Sequence, residues 1–150
     1  MASIRTACAK DIDAILRIEV ESFPSPWSRF DFQFYLQAFP DSFFVYTKDT
    51  TLIGYIVASI HQERSQYPVG RIDSIAVTPE LRRQGIGQQL MSQLLETLEE
   101  KGCREVLLVV RVSNHVAQEF YRSFGFQVKS QLTGYYNGED GLVMAMELER

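Results

Sequence analysis

The segment that most constrains this chain is Arg82–Gly87, which reads Arg-Arg-Gln-Gly-Ile-Gly. It follows a strand-like run at Arg71–Val77 and precedes an amphipathic helical pattern at residues 88–100. Gly85 and Gly87 have no Cβ, so the backbone around them can approach a ligand closely. A helix also begins with unpaired N–H groups and a partial positive charge, and the two arginines add full charges. The segment therefore predicts a strand–loop–helix unit that binds a phosphate group.

The spacing excludes the two commonest nucleotide-binding loops. A Walker loop needs Gly-Lys followed by Ser or Thr, and the segment has no such lysine. The dinucleotide fingerprint needs a third glycine, and Leu90 occupies that position. The expected ligand carries a phosphate but belongs to neither class. For the loop taken alone, a plain turn at the start of a helix remains an alternative.

Length and composition predict one globular domain that spans residues 1–150. The chain is 45% hydrophobic and 23% charged, as folded rather than disordered proteins are. Its net charge of −4 argues against nucleic-acid binding, which uses a basic face. The sequence has neither a signal-peptide pattern nor an apolar run of membrane-spanning length. We expect a cytoplasmic protein that binds neither nucleic acid nor membrane.

Cysteine and histidine are too few and too scattered for a metal site. Cys8, Cys103, His61 and His115 show no spacing that is typical of zinc ligands. We therefore expect no metal, and we expect both cysteines to be reduced and buried, as in a cytosolic protein.

The predicted elements follow the order β-α-α-β-β-β-α-β-α-β-β, which is typical of an α/β (α+β) domain with a mixed sheet. Pro24 and Pro26 separate the first two helices because proline breaks the helical ladder. Ser28 with Asp31 offers an N-cap for the second helix. Val106–Val110 is continuously apolar, which predicts a strand buried on both faces. A terminal pair of strands is predicted at Phe126–Gln131 and Leu142–Leu148.

Three motifs together resemble the GNAT acyltransferases, which use acetyl-coenzyme A. They are Ile75–Val77, the Arg82–Gly87 loop, and Arg111–Asn114 followed by residues 120–126. The resemblance covers essentially the whole chain. It implies the GNAT fold, a mixed central sheet of about seven strands with about four helices, splayed between strands 4 and 5.

Two further segments are similar to the protein N-terminal acetyltransferases, especially the RimI-like ribosomal-protein alanine enzymes of bacteria and their archaeal relatives. These segments are Phe23–Ser28 and Tyr135–Asp140, the latter just before Val143–Met146. The resemblance implies transfer of acetyl from acetyl-CoA to the α-amine of a protein N-terminus, with a ribosomal protein as one candidate substrate. We expect a monomer or a weak dimer.

The resemblance also implies which residues bind the coenzyme. Backbone amides of the loop would hold the pyrophosphate, one strand would pair with the pantetheine arm, and an asparagine would contact the coenzyme. The expected residues are Ile75, Ala76, Val77, Arg82, Arg83, Gln84, Gly85, Ile86, Gly87, Gln88 and Asn114. The side chains of the strand are expected to serve only as core. The alternative for the arginine side chains is solvated loop charges, and the alternative for the asparagine is a helix N-cap, which is compatible with coenzyme contact.

Tyr121 stands at the family's general-acid position. A phenol there can protonate the departing thiolate. The alternative is an aromatic side chain that only packs beside Phe120 and Phe124.

One departure from the family concerns the general base. In the bacterial alanine acetyltransferases this strand reads Leu-Glu-Val-Arg, and the glutamate is the expected base. Here Val109 takes that position, and it cannot accept a proton.

Asp73 is the substitute base that we favour, because several relatives place a base on this strand and alternation puts it on the same face as Arg71. A salt bridge to Arg71 or at the strand edge is the alternative. Glu19, Glu21 and Glu63 are weaker candidates.

Four aromatic residues are expected to contact the substrate. Tyr135 and Tyr136 resemble the family's tyrosines that close over the substrate N-terminus, although aromatic residues also flank ordinary turns. Phe23 and Trp27 are expected to line one wall of the pocket for the first residue, or merely to staple two helices.

Two other functions remain open at this point. One is acetylation of a small-molecule amine or amino acid, which a closed acidic pocket would favour. The other is a non-catalytic acetyl-CoA-binding module, which is supported by Val109 and opposed by Tyr121.

Overall fold

The computed structural model describes residues 1–62 and 66–148. It contains seven strands and four helices in the predicted order. The strands are β1 (Ala2–Thr6), β2 (Phe43–Lys48), β3 (Thr51–His61), β4 (Val69–Val77), β5 (Glu105–Arg111), β6 (Gln127–Tyr136) and β7 (Glu139–Glu147). The helices are α1 (Ile12–Ser22), α2 (Arg29–Ala38), α3 (Ile86–Glu100) and α4 (His115–Arg122). Within the described ranges, none of the helices has the length and apolar character needed to cross a membrane.

The strands form one mixed sheet in the order β1-β2-β3-β4-β5-β7-β6. The pairs β1–β2, β2–β3, β5–β7 and β6–β7 are antiparallel. The pair β4–β5 is parallel and joins Val69–Arg71 to residues 105–107. This ladder takes in only the first three residues of β5, as strands that splay apart require. The predicted mixed sheet of about seven strands with about four helices is confirmed.

The chain forms two compact units, of which the first comprises Met1–Ser59 and Ile72–Glu100. One core of this unit packs α1 and α2 against β2, β3 and β4. Its buried members are Ile12, Ile15, Ile18, Phe32, Phe43, Val45, Tyr55, Val57 and Ala76. Helix α3 buries its own apolar stripe, at Leu90, Met91, Leu94 and Leu98. The amphipathic patterns read from the sequence therefore correspond to real buried faces.

The break between α1 and α2 has the predicted cause. Helix α1 ends at Ser22, and Phe23 is extended, with Pro24 following. Helix α2 then begins with a capping box, in which the Ser28 side chain accepts from the amide of Asp31 and the Asp31 carboxylate accepts from the amide of Ser28.

The second unit comprises Ile60–Arg71 and Lys101–Arg150. Strand β5 was expected to be buried on both faces, but Val106, Leu108 and Val110 are buried while Leu107 and Val109 are only half-buried. Burial therefore alternates between the two faces of β5, although the run of residues is continuously apolar. Strand β6 also extends to Tyr136, beyond the predicted end at Gln131.

The cysteines are both free, but only one of them is buried. Cys103 is buried, which raises the pKa of its thiol, whereas Cys8 is exposed. The expectation that both are buried was wrong for Cys8, because β1 lies at the edge of the sheet and the chain leaves it just before Cys8.

Candidate active site

The glycine-rich loop joins the end of β4 to the start of α3. Arg83 has φ = 66° and Gly85 has φ = 83°, so two residues of this short loop adopt the left-handed conformation. Successive backbone N–H groups in such turns converge into an anion-binding concavity. A side chain in this conformation costs about 1–2 kcal/mol, so the fold holds Arg83 there against its local preference. These angles are compatible with an anion-binding loop, and binding of a pyrophosphate there stays a prediction.

The start of α3 adds to this concavity. The first helical hydrogen bond runs from the amide of Gln89 to the carbonyl of Gly85. The amides of Ile86, Gly87 and Gln88 therefore precede the ladder and lie at the positive end of the helix dipole. A Cβ added to Gly85 would lie 3.4 Å from Oε1 of Gln88, which is an ordinary contact. Glycine is required at position 85 by its backbone angle rather than by lack of space.

The side chain of Arg82 has a structural task. Its Nε donates to the carbonyl of Val77 at 3.0 Å, and its Nη2 donates to Oγ of Ser22 at 3.0 Å. It thus ties the loop to the end of β4 and to the last residue of α1, although the side chain stays exposed. Contact of Arg82 with the coenzyme stays a prediction.

The segment of β4 before the loop carries the residues expected to pair with the coenzyme arm. Ala76 and Val77 are buried, at 8% and 9% exposure, and Ile75 is half-buried. The prediction that these side chains serve mainly as core holds for Ala76 and Val77. Pairing of their backbone with the coenzyme stays a prediction.

Asp73 lies on β4 and is half-buried. Oγ of Ser59 donates to its Oδ2 at 2.7 Å. The hydroxyl of Tyr55, four residues before Ser59 on β3, lies 3.1 Å from Oγ of Ser74. Tyr55 and Ser59 of β3 thus contact consecutive residues of β4. Burial alternates along β4, with Ser74 buried and Asp73 only half-buried.

Glu19 is a buried carboxylate that sequence reasoning had placed only among the weak base candidates. It is 2% exposed and accepts three hydrogen bonds. The donors are the hydroxyl of Tyr55, Oγ of Ser74 at 3.2 Å, and the amide of Trp27 at 2.9 Å. Burial and the charge of Glu19 raise the pKa of Tyr55 well above its ordinary value, so Tyr55 remains a neutral donor. The sequence did contain a signal for this burial, because Glu19 is an acidic residue on the apolar stripe of α1, one turn beyond Ile15.

The other two weak base candidates differ from Glu19. Glu21 is exposed on α1. Glu63 lies outside the described residues.

Trp27 is fixed by its ring as well as by its amide. The indole stacks on Tyr35, with centroids 5.1 Å apart and planes 5° from parallel, and meets Phe32 at 5.3 Å. Phe23 is half-buried beside the same core. The expected packing between the first two helices is present, and the pocket wall stays a prediction.

In the second unit, Tyr121 lies in the last turn of α4. Its ring makes edge contacts with Phe120 at 5.6 Å and with Phe126 at 5.9 Å. Burial, with a smaller contribution from Tyr136, raises the pKa of Tyr121 above its ordinary value. The phenol therefore stays protonated at any physiological pH, which a proton donor requires. Aromatic packing and proton donation are compatible at this position.

Asn114 caps α4. Its side-chain oxygen accepts from the amide of Ala117 at 3.1 Å, which is the N-cap alternative considered from the sequence. Since a capping oxygen leaves the amide NH₂ available, contact with the coenzyme stays a prediction.

Val109 occupies the position of the absent glutamate. Its side chain lies over Gly141, where a Cβ would come within 2.7 Å of Cγ1 of Val109. Its carbonyl accepts from the hydroxyl of Tyr136 at 3.1 Å. The guanidinium of Arg111 lies over the ring of Tyr136, 4.3 Å from the centroid. The Tyr136 ring is therefore fixed by the hydrogen bond of its hydroxyl and by the guanidinium against its face. Tyr135, in contrast, is 55% exposed.

Two carboxylates brace the β6–β7 hairpin, which is residues 127–147. Glu139 accepts from the amide of Ser113 at 2.8 Å and from Arg111 at 3.1 Å. Asp140 accepts from the amide of Gly134 and from Gln131, both at 2.8 Å. These bonds lower the pKa of both carboxyls, chiefly through Ser113 for Glu139 and through Gly134 for Asp140. The sequence motif had suggested the two tyrosines but not these braces.

The Acetyltransferase (GNAT) family matches residues 12–126 of the chain. The protein belongs to this family. The match spans the strand, the glycine-rich loop and the α4 residues on which the resemblance rested, so the predicted family is confirmed. The GNAT protein is an acetyl-transferring enzyme, and its acetyl donor is acetyl-CoA.

Three known proteins illustrate its similarity. A Bacillus subtilis protein provisionally named as a ribosomal protein bS18-alanine N-acetyltransferase is 39% identical over 146 residues, covering 95% of this chain and 93% of the relative. An N-alpha-acetyltransferase of Saccharolobus solfataricus is 33% identical over 155 residues, covering 97% and 93%. The crystal structure of the ribosomal-protein-S18-alanine N-acetyltransferase from Escherichia coli has a TM-score of 0.85 at 26% identity, covering 100% of this chain and 96% of that one.

Proposed function

We propose that this enzyme acetylates the α-amine of a protein N-terminus. The proposal is supported by the relatives, whose names describe N-alpha-acetyltransferases and ribosomal-protein alanine N-acetyltransferases. A ribosomal protein is the first candidate substrate on the same ground. The observation that carries the proposal within this chain is Val109, which removes the strong base of the β5 strand.

The missing glutamate matters less for an α-amine than for a lysine. An α-amine has a pKa of about 7.7–8.0, whereas a lysine has a pKa of about 10.4. Near pH 7 roughly a tenth of α-amines are already neutral, against a few in ten thousand lysine side chains. An enzyme with only a modest base therefore loses much less rate on an N-terminal substrate than on a lysine side chain.

The residues divide the proton transfers between them. Bound acetyl-CoA supplies the thioester whose acetyl group is transferred. We assign Tyr121 as the acid that gives its phenolic proton to the departing sulfur, which its raised pKa allows by keeping the phenol neutral. We assign Asp73 as the acceptor of the amine proton, with Ser59 orienting its carboxylate.

The coenzyme would be held by backbone rather than by side chains. We assign the amides from Arg83 to Gln88 to the pyrophosphate and the Ile75–Val77 strand to the pantetheine arm. Asn114 and the guanidinium of Arg83 would add polar contacts. Charge-assisted hydrogen bonds of about 1.5–3 kcal/mol each suffice for a micromolar site when a few are made together.

Four aromatic side chains would hold the substrate. We assign Tyr135 and Tyr136 to the first peptide unit of the substrate, and Phe23 and Trp27 to the wall that contacts its first side chain. The support is the resemblance of their segments together with the firm placement of Tyr136 and Trp27.

We also propose that residues 1–150 act as one acetyltransferase domain, since the family match includes parts of both units. The two free thiols support a cytoplasmic location. A monomer or weak dimer stays the expectation, which size-exclusion chromatography with light scattering would check.

The test of this function is a peptide library with varied first residues, incubated with the enzyme and acetyl-CoA and analysed by mass spectrometry. Each peptide carries an internal lysine, and a matched set has a blocked N-terminus. We expect acetyl on the α-amine alone and none on the blocked set. Lysine acetylation at a similar rate would contradict the proposal.

The same assay separates the two alternatives. Release of coenzyme thiol with free amines or amino acids but not with peptides would indicate a small-molecule acetyltransferase. Thermal protection by acetyl-CoA without turnover of any amine would indicate a binding module.

A further inference from the structure

The buried carboxylate of Glu19 joins four parts of the first unit. Glu19 itself lies on α1, and its three donors come from the segment before α2, from β3 and from β4. All three donors are uncharged groups. A buried carboxylate is costly unless hydrogen bonds replace its water, so this group of donors is a specific arrangement rather than incidental packing.

The segment Phe23–Ser28 depends on this carboxylate for its placement. Pro24 and Pro26 have no N–H group and cannot donate to a backbone ladder. The amide of Trp27 donates to Oε2 of Glu19, so a side chain supplies the anchor that secondary structure cannot. The stack on Tyr35 fixes the ring, and the bond to Glu19 fixes the backbone that carries it.

The other oxygen of Glu19 acts on β4. Oε1 accepts from Oγ of Ser74, which lies directly beside Asp73 on β4. The same carboxylate therefore holds the Trp27 segment and the strand position next to the proposed base. With its oxygens occupied by donors at 2% exposure, Glu19 does not have the setting of a general base.

We propose that Glu19 is a positioning residue that sets the place of Trp27, and with it the pocket for the first residue of the substrate, relative to β4. The proposal rests on the proposed function, because that function supplies the peptide that Trp27 would contact. Glu19 does not touch the reacting atoms, so its effect should appear in peptide affinity more than in coenzyme affinity.

The variant Glu19→Gln tests this role, because it keeps the shape of the side chain but replaces one acceptor oxygen by a donor. Asp11→Asn is the matched control. Asp11 is also buried, at 7% exposure, and also accepts from a backbone amide, that of Cys8, but it does not bond to the Trp27 segment. Both variants remove one buried carboxylate from the same unit.

Two measurements are made on each variant. The first is acrylamide quenching of tryptophan fluorescence, which reports on Trp27 alone because the chain has a single tryptophan. The second is steady-state kinetics with a good peptide substrate, together with the dissociation constant of acetyl-CoA.

For Glu19→Gln we expect stronger quenching and a rise in the peptide KM of roughly 10- to 100-fold, with an unchanged acetyl-CoA dissociation constant. For Asp11→Asn we expect a lower Tm, with quenching and peptide KM as in the wild type. If Glu19→Gln does not fold, Ser74→Ala removes a single donor and should shift both measurements in the same direction by a smaller factor.

Three results would overturn the proposal. Unchanged quenching would show that Glu19 does not hold the segment. If Glu19→Gln shows stronger quenching but the same peptide KM as Asp11→Asn, Glu19 has a structural role only. A wild-type enzyme that acetylates no peptide would refute the proposed function first, and quenching would then separately show whether Glu19 still holds Trp27.

Discussion

The glycine-rich loop and the β6–β7 hairpin are built by opposite means. The loop of the first unit makes its concavity from backbone, with left-handed angles at Arg83 and Gly85 and the amides that open α3. The hairpin of the second unit is held by side-chain bonds: Asp140 accepts from the amide of Gly134, and the hydroxyl of Tyr136 donates to the carbonyl of Val109.

The difference suits the two expected ligands. A pyrophosphate is the same in every reaction cycle, and a backbone concavity serves it whatever the side chains are. A peptide N-terminus varies in its side chain, and aromatic rings held by replaceable side-chain bonds can be tuned to it. Disturbing the loop should therefore abolish coenzyme binding, whereas disturbing the hairpin should alter peptide use.

The largest effect is expected from Gly85→Val. Valine at φ = 83° is strained, and the loop cannot keep its backbone angles. Acetyl-CoA should protect the wild type against heat by about 2.7 kcal/mol at a hundred times its dissociation constant, and should not protect the variant. Differential scanning fluorimetry measures both.

The control for this variant is Gly138→Val in the hairpin, which has φ = 88° and is equally strained. It should lose peptide turnover but keep protection by acetyl-CoA. If both variants lose protection, backbone strain anywhere in the chain is enough to abolish acetyl-CoA binding. The comparison between the loop and the hairpin would then be wrong.

The next effect concerns Tyr121, which lies in the same unit as the hairpin. Tyr121→Phe should lower turnover by roughly 10²-fold with little change in acetyl-CoA binding. Because burial raises the pKa of Tyr121, the wild-type rate should not decline near pH 10, where an ordinary tyrosine ionises. If the variant turns over as fast as the wild type, Tyr121 only packs against its neighbours and is not the general acid.

Asp73→Asn should also cost on the order of 10²-fold at pH 7, near 2.7 kcal/mol of barrier. The loss should shrink as pH rises past the α-amine pKa of about 8, because the neutral amine then forms in solution. Peptides that offer only a lysine side chain should stay poor substrates. Full activity at pH 7 would show that the neutral fraction of the amine, or a water relay from another carboxylate such as Glu21, carries the step.

The double variant Asp73→Asn with Val109→Glu compares the two positions for the base directly. Recovery of the rate would show that a glutamate at position 109 on β5 can still accept the proton of the substrate amine. The general base of this chain would then lie on β4 instead of β5. No recovery would leave Val109 as part of the packing over Gly141.

The smallest effect is expected from Asp140→Asn, which weakens one brace of the hairpin. The peptide KM should rise roughly tenfold, while the acetyl-CoA dissociation constant stays constant. Hydrogen bonds lower the pKa of Asp140 in the folded protein, so its contribution is complete above the unfolded pKa and is lost as pH falls through the folded pKa. The wild-type KM should therefore rise in acid, and the variant should show a smaller rise there, because only the brace of Glu139 is then left to titrate.

Much of the fold followed from local pattern. The apolar stripe of α3, the capping box at Ser28 and the order of elements were all predicted and are all present. The alternation of β5 was missed because Leu107 and Val109 are apolar on the less buried face, so periodicity carried no signal there. The extension of β6 to Tyr136 was missed because polar residues gave no strand pattern.

The features of the site also separate into those that local sequence predicted and those that it did not. The loop from Arg82 to Gln88 could be recognised because its proposed role depends on residue types in a short run. The task of Arg82 could not, because its partners Val77 and Ser22 include one that is sixty residues away. The hydrogen-bond donors of Glu19 could not be predicted either, since they lie on three separate segments.

By itself, the sequence determined the family, the order of elements and the backbone loop, because turn chemistry and hydrophobic period act over a few neighbouring residues. Only the tertiary structure decided that Glu19 is buried among Tyr55, Ser74 and Trp27, that Asp140 braces the hairpin, and that Tyr136 bonds to Val109. Those contacts form between residues distant in the chain, and the free energy of a buried polar group depends on which partners the fold brings to it.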